Sequence, residues 1–313
     1  MKIAITGNTG LIGSRFIRLL SNSLDICPLS TSTIIDITNK ELVFESLNKI
    51  NPLIILHLAA KTDVDGCEKD KNDDLQKLQK ANILKNNEVN FNEIDNLQWQ
   101  GNSGSFAINV AGTKNLADFA EEKNIKFIYI STDFVFDGEQ EYYSEEDNPH
   151  PINWYGTTKF WGEKYVNKYT ENFLIVRPSY PYGVKSEVKK DFLWKMVDFL
   201  KLKKEGSFVY DQVITPTFID DIVYGLDFLI KNKASGIYHL VGNSFISPYE
   251  IGLLLADSLN IKRSAIHKIA REKYYKDRAR RPFQSRIKND KIVKLGFKTK
   301  TFEQGLDILK NTI

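Results

Sequence analysis

The sequence predicts an α/β protein built on a doubly wound parallel sheet, with a smaller lobe formed by the C-terminal part of the chain. Three observations carry this expectation. The apolar run Ile3-Ala4-Ile5 passes directly into a glycine-rich turn and then into an amphipathic helix marked by Phe16, Ile17, Leu19 and Leu20. Further short apolar runs, between Asn51 and Ala60, from Phe127 to Ser131 and from Phe173 to Val176, alternate with helical patterns, as buried parallel strands do. Tyr155 stands four residues before Lys159 in a helical stretch, so a phenol and an ammonium share one face.

Composition bounds the rest. At 313 residues and 42% hydrophobic, the chain can bury a full α/β core and a second lobe. A formal charge of +3 is too small to argue for nucleic acid or a membrane surface as partner. Cys27 and Cys67 match no metal-ligand or redox spacing and are read as reduced thiols. The core strand begins almost at once, leaving no room for a secretory leader, and no apolar run approaches membrane-spanning length. A cytoplasmic protein is expected, with a dinucleotide-binding domain over residues 1–180, an insert at about 69–105, and a substrate lobe over 181–313. Strands are free to exchange between the two lobes.

The first turn reads Thr6-Gly7-Asn8-Thr9-Gly10-Leu11-Ile12-Gly13. Glycine permits close approach of the backbone to a phosphate, and the helix that follows presents N–H groups to it. Gly7, Thr9, Gly10, Leu11, Ile12 and Gly13 are therefore candidate cofactor-binding residues. About twenty residues further on, a carboxylate would bind the ribose 2′-hydroxyl of NAD. That place holds Ser30, Thr31 and Ser32, hydroxyls that can face a 2′-phosphate, so NADP(H) is favoured and NAD(H) stays admissible. Asp36 and Ile37 follow a little late for the ribose; Asp36 also reads as the N-cap of a helix over Lys40 to Leu47. At the end of the next strand Leu58, Ala59, Ala60 and Lys61 are small enough in part to let a cofactor lie close, and His57 reads as a core histidine.

A loop is expected from Lys61 to Glu68. Lys69 to Ser105 is the least patterned stretch, read as one short helix near Asp74 to Leu84 and irregular chain beyond. Either a mobile flap near the cleft or an insert packed against a second subunit would explain it. Asn109, inside the apolar helix Phe106 to Lys123, can hold backbone near a site. The strand Phe127 to Ser131 ends in Ser131 and Thr132, at the sheet edge where ligands bind. The second lobe carries helices near Phe192 to Leu200, after Asp220 and after Pro248, and strands near Phe208 to Tyr210 and Gly236 to Gly242. The segment Lys262 to Lys288 is strongly basic, with nine Lys and Arg residues from Lys268 onward, and is either a solvated face or a seat for an anionic substrate.

Taken together, these stretches resemble the extended short-chain dehydrogenase/reductases, and among them the dTDP-4-dehydrorhamnose reductase group. The residues that carry the likeness are the G-x-x-G-x-x-G turn, Leu58 to Asp65, Ile108-Asn109-Val110, Ser131 to Phe136, Tyr155 to Lys159, Arg177 to Tyr180, Asp211-Gln212, Pro216-Thr217, Tyr238 to Leu240 and Arg281-Pro282. The likeness spans nearly the whole chain apart from Lys69 to Ser105. It implies a Rossmann-type fold, reduction of a nucleotide-linked 4-keto sugar, and a catalytic trio of Thr132, Tyr155 and Lys159. In that reading Tyr155 gives a proton to the carbonyl, Thr132 fixes it, and Lys159 lowers the tyrosine pKa and holds the nicotinamide ribose. Asn109 and Pro178 would contribute to the cofactor site. Val64, Thr132, Asp133, Phe134, Tyr180 and Arg281 would face the substrate. A homodimer is admitted.

Departures set the alternatives. Phe134 replaces the tyrosine usual in the group, and Tyr180 replaces a tryptophan. Dehydratases of the superfamily carry glutamate where Phe134 stands, which argues against dehydration, and epimerases differ at the same strand end. A cofactor-binding regulatory subunit, similar to the β subunit of methionine adenosyltransferase, shares these motifs and acts by binding a partner.

Overall fold

Apolar runs of four or five residues become strands, and the stripes between them become helices, in an alternation over the first half that one short hairpin interrupts. The computed structural model describes residues 1–29, 35–186, 189–310 and 312–313. The chain begins with β1 (Lys2–Thr6), α1 (Leu11–Leu20), β2 (Asp25–Pro28), α2 (Lys40–Ile50) and β3 (Ile54–His57). There follow α3 (Val64–Lys80), the two-residue strands β4 (Leu84–Lys85) and β5 (Glu88–Val89), α4 (Gly112–Glu122), β6 (Lys126–Ile130), α5 (Trp154–Tyr169) and β7 (Phe173–Arg177). The second half supplies β8 (Pro181–Tyr182), α6 (Phe192–Lys203), β9 (Gly206–Val209), β10 (Thr217–Phe218), α7 (Ile219–Lys231) and β11 (Gly236–His239). It ends with α8 (Pro248–Ser258), β12 (Ile266–Ile269), α9 (Arg271–Tyr274), α10 (Asp290–Lys294) and α11 (Phe302–Leu309).

Six strands form one parallel sheet in the order β11-β7-β6-β3-β1-β2. The chain reverses its direction of growth between β1 and β3, which opens a crevice at their carboxyl ends. On one face α2, α4 and α5 bury Val43, Leu47, Phe119 and Val166; on the other α1 and α7 bury Phe16, Leu20, Ile222 and Leu226. The second lobe has its own core around Tyr182, Trp194, Leu255 and Phe302. Strand β11 and helix α7, from the second half of the chain, complete the six-stranded sheet and its outer layer.

The central stretch departs most from expectation. Instead of a loop followed by a short helix at Asp74 to Leu84, a 17-residue helix, α3, starts at Val64. Its buried face includes Asp74, whose Oδ2 accepts from Trp154 Nε1 at 2.8 Å and Phe106 N at 3.0 Å. A carboxylate in a core position hides the helical period from a hydrophobicity reading. Beyond α3, the β4–β5 hairpin and a 3₁₀ turn at Phe91–Asn96 bring Ile83, Phe91, Ile94 and Trp99 into the main core. Trp99 donates to Ile94 O at 2.8 Å and packs on Phe106 with centroids 5.2 Å apart. The insert is therefore packed against its own domain, and the flap expectation fails for this part of it. Asp36 does not cap α2; Asn39 does, accepting from Leu42 N at 3.0 Å. Among the described residues no helix is long and apolar enough to cross a membrane, and no cluster of three or more His, Cys, Asp or Glu could hold a metal.

If the insert is core, Trp99→Ala should lower the unfolding free energy by about 3–5 kcal/mol. Urea unfolding measures it; a loss below about 1 kcal/mol, the size of an ordinary surface effect, would show that the insert does not share the domain's core.

Candidate active site

A cavity of about 810 Å³ lies over the carboxyl ends of the central strands and extends into the seam between the lobes. Its floor is the glycine turn. Gly7 has φ +69°, and a Cβ there would stand 2.6 Å from Ala59 N; one on Gly13 would stand 2.2 Å from Gly7 O. Only glycine lets β1, β3 and α1 meet this closely. Helix α1 starts at Gly10 without a side-chain cap, so its first-turn N–H groups face the cavity that Leu11, Ile12 and Gly13 line. The Ser131 hydroxyl, also on the wall, is buried without a partner among the described residues. Uncapped donors, a backbone cradle and an orphaned hydroxyl fit a dinucleotide stretched across the crevice.

A chain of hydrogen bonds holds the β3 rim. Thr113 Oγ1 donates to Asn109 O at 2.8 Å and accepts from His57 Nε2 at 3.0 Å. His57 Nδ1 accepts from Thr6 Oγ1 at 2.7 Å, and that hydroxyl accepts from Leu58 N and Ala59 N, each at 3.2 Å. Every partner has one role, which fixes the tautomer. Burial, with the Lys159 charge nearby, holds His57 well below the usual histidine range. It is a core histidine, as its place in an apolar run predicts.

Asn109 does not line the cavity. It sits in a π-helical turn (Ala107–Ala111), fully buried, and grips the Lys61 backbone: Oδ1 accepts from Lys61 N at 2.8 Å and Nδ2 donates to Lys61 O at 3.1 Å. Nδ2 also donates to Thr158 Oγ1 at 3.0 Å, tying this rim to α5. Asn109 thus holds the rim from behind the cavity wall. Lys61, also outside the lining, turns its ammonium to Asp70 at 2.6 Å.

The trio converges as expected. Asn153 caps α5, accepting from Gly156 N at 2.8 Å, and Tyr155 and Lys159 both reach the cavity. Thr132 caps a short 3₁₀ turn through Phe134 N at 3.2 Å, donates to Asp133 Oδ1 at 3.3 Å, and stands near the Tyr155 phenol. Lys159 Nζ donates to Ile130 O at 2.8 Å and lies 4.0 Å over the Tyr129 ring. Burial drives the Tyr155 pKa well up, eased by Thr132 and opposed by Asp133 and Cys67. Burial likewise brings Lys159 down to about 7, against the upward pull of Glu163 and Cys67. The expected lowering of the phenol by Lys159 is not what governs here: desolvation dominates both groups, and the Thr132 hydroxyl eases the phenol.

Asp133 is buried, which raises it to about 6 despite bonds from Ser179, at 2.9 Å, and from Thr132. Phe134 packs edge-on to Tyr155 at 5.7 Å and tilts against Tyr180 at 6.0 Å. Tyr180 has φ +39°, a left-handed conformation uncommon for a bulky residue and frequent at functional sites. Val64, Asp133, Phe134, Pro178 and Tyr180 all line the cavity, as do Thr9, Asp36, Ile37 and Ala60. Ser30, Thr31 and Ser32 lie outside the described residues.

Arg281 is the clearest correction. Its Nη2 donates to Asp65 Oδ1 at 2.9 Å and Nη1 to Ala279 O at 2.5 Å, over the Tyr275 ring. The guanidinium is spent on neighbours and does not line the cavity. Besides Lys159, the cations that do among the described residues are Lys189, Lys190 and Lys195, at the second-lobe side. Sequence reading passed over them, although two lysines just ahead of an apolar helix and a third in its first turn were a visible signal. Asn102 and Ser103 of the insert also line the cavity, with no local signal to announce them.

The Lys159 shift has a consequence for stability. Its folded pKa, about 7, lies below the unfolded value of about 10.4. Between these the unfolded chain binds more protons, so unfolding free energy rises with pH, by up to about 1.4 kcal/mol per pH unit. The difference between wild type and Lys159→Met should therefore grow from pH 7 to pH 9 in urea unfolding, and a flat difference would show that Lys159 does not titrate in this window.

Comparison with known proteins bears on this geometry. The profile of the family described as RmlD substrate binding domain matches residues 1–85 and 90–312. It skips only four residues of the stretch that was expected to fall outside the likeness. The dTDP-4-dehydrorhamnose reductase of Sinorhizobium fredii is 28% identical over 303 residues, 93% of this chain and 90% of that protein. The methionine adenosyltransferase 2 subunit beta of Xenopus laevis is 30% identical over 200 residues, 62% of this chain and 59% of that protein. The crystal structure of dTDP-4-dehydrorhamnose reductase from Bacillus anthracis in complex with NADP superposes with a TM-score of 0.82 at 29% identity, covering 100% of this chain and 99% of that one.

Proposed function

The chain belongs to the RmlD substrate binding domain family, and from that membership we propose that it is an NADP-dependent reductase of a nucleotide-linked 4-keto sugar. The observation that carries the reading is the convergence of Thr132, Tyr155 and Lys159 on one cavity beside the glycine turn. A relative of matching length is named for this activity, and a solved one holds NADP.

NADPH, when bound, supplies the hydride. The rest of the chemistry falls to this chain. The Gly10–Gly13 turn and the α1 N-terminus bind pyrophosphate. Thr132, near the phenol, orients the sugar carbonyl toward Tyr155. A phenol kept neutral by burial holds a proton that it gives to the carbonyl oxygen as that oxygen gains negative charge. Lys159, anchored on Ile130 O, keeps a positive or proton-rich group behind the phenol. Phe134 and Tyr180 form an aromatic wall that excludes water from the sugar.

Tyr155→Phe should retain NADPH affinity while losing at least about 10²-fold in turnover, measured as NADPH oxidation across dTDP- and other nucleotide-linked 4-keto sugars. Near-normal turnover would remove the proton-donor assignment. If wild type binds NADPH but oxidises it with none of these sugars, the regulatory reading suggested by the methionine adenosyltransferase relative takes its place.

The substrate's diphosphate needs cationic donors, and the lysines at the seam are placed to supply them. Lys189→Ala and Lys195→Ala should each raise KM for the active sugar nucleotide by about tenfold, the loss of one charge-assisted contact. Arg281→Ala should leave KM within about twofold, a few tenths of a kcal/mol, because its guanidinium faces Asp65. The opposite pattern would return the diphosphate to the Arg281 side.

A further inference from the structure

The packed insert does not end in the core. After Trp99 its chain turns back to the crevice, and Gly101, Asn102 and Ser103 line the cavity. Three contacts hold this loop. Gly101 N donates to Asp36 Oδ2 at 2.6 Å, Lys61 Nζ donates to Ser103 O at 3.1 Å, and Gly104 N donates to Asn102 Oδ1 at 2.8 Å. Asp70 completes the anchor, taking the Lys61 ammonium together with Ser105 N and Oγ.

The position of the loop in the crevice follows from the fold. Phosphate belongs at the α1 N-terminus, and the reacting end at Thr132, Tyr155 and Lys159. The adenosine half must then lie on the far side, beyond β2, where Leu29, Ile35, Asp36 and Ile37 line the cavity. Asp36 is the residue there with the charge to bind a ribose or base. Its carboxylate is already engaged: Oδ1 accepts from Thr38 N at 2.9 Å and from Thr38 Oγ1 at 2.5 Å, and Oδ2 takes Gly101. Partial burial pushes its pKa up, but these donors outweigh it and leave Asp36 lowered, hence ionised at neutral pH.

We propose that the Gly101–Ser103 loop of the insert is a wall of the dinucleotide site, closing over the adenosine half, with Asp36 serving as the latch that holds it there. The inference rests on the reading of the crevice as a dinucleotide site and adds to it the residues that enclose one half of the ligand. The insert thereby becomes part of the cofactor-binding surface, and the Asp36 carboxylate acts on the cofactor through the loop.

Protection from alkylation tests it. Ser103 is exposed, so Ser103→Cys in a Cys27→Ser background presents one reactive thiol; the remaining Cys67 is buried, and burial pushes its pKa to about 11. Iodoacetamide labelling at residue 103 should slow at least tenfold in saturating NADPH and equally in 2′,5′-ADP, which carries only the adenosine half. Nicotinamide mononucleotide should leave the rate unchanged. If wild type binds 2′,5′-ADP by calorimetry yet labelling is unaffected, the loop is not a wall of the site while the dinucleotide reading stands. If wild type binds neither NADPH nor 2′,5′-ADP, both fall. A Cys27→Ser chain with Ser103 intact reports any labelling of Cys67.

Discussion

A single buried ion pair fixes the frame on which the site is built. Arg177, the last residue of β7, donates to Glu163 of α5 through Nε at 2.8 Å and Nη2 at 2.6 Å, with both side chains almost wholly enclosed. The same guanidinium lies 5.1 Å over the Phe136 ring and donates to His239 Nε2 at 3.4 Å. His239 in turn donates from Nδ1 to Lys288 O at 3.0 Å, and burial with the Arg177 charge brings its pKa down to about 3, so it stays neutral. One cation thus joins the catalytic helix, two strands, the loop after β6 and the C-terminal segment. Removing either partner of such a pair leaves an uncompensated charge in the core and costs about 3–5 kcal/mol. The pair specifies position: Glu163 stands on the same face of α5 as Lys159 and Tyr155, one and two turns further along, so seating it against β7 sets that face toward the sheet and brings both groups to the crevice.

The site itself works by withholding water. Its phenol, its ammonium and its carboxyl are all shifted toward their neutral forms by burial, and hydroxyls or carbonyls replace the lost hydration. Such groups are poised to exchange protons with a substrate and poorly suited to exchange them with solvent. The rim is treated differently. Around Lys61, Asp70, Arg281 and Asp65 the charges are paired across partly exposed ground, where they order backbone and contribute little stability of their own.

Legibility in the sequence followed the range of the interaction concerned. The strand–turn–helix at residues 2–20, the Tyr155–Lys159 spacing and the hydroxyls ending β6 are local patterns, and each was readable because a few neighbouring residues determine it. Asn109 was half readable: an amide inside an apolar helix announces a structural duty, but its grip on Lys61 depends on a π-helical turn that no spacing reveals. The length of α3 was not readable, because its core position is taken by Asp74, whose partners lie 32 and 80 residues away. Arg281 was misread for a similar reason. A basic segment shows its charges in the sequence and hides the carboxylate, carbonyl and aromatic faces that absorb them.

Asp74 and Glu68 give α3 a mechanical meaning beyond its place in the core. Glu68 Oε2 accepts from Trp154 N at 2.7 Å and Asp74 Oδ2 from the Trp154 indole at 2.8 Å, so the first residue of α5 hangs from α3. The insert is the direct continuation of that helix. Local opening in proteins proceeds in contiguous units that share their supports, and here the insert, α3 and the first turn of the catalytic helix share one. Slow amide exchange in those three segments would then report a single opening event, and whatever loosens the insert also loosens the residue from which Tyr155 is held.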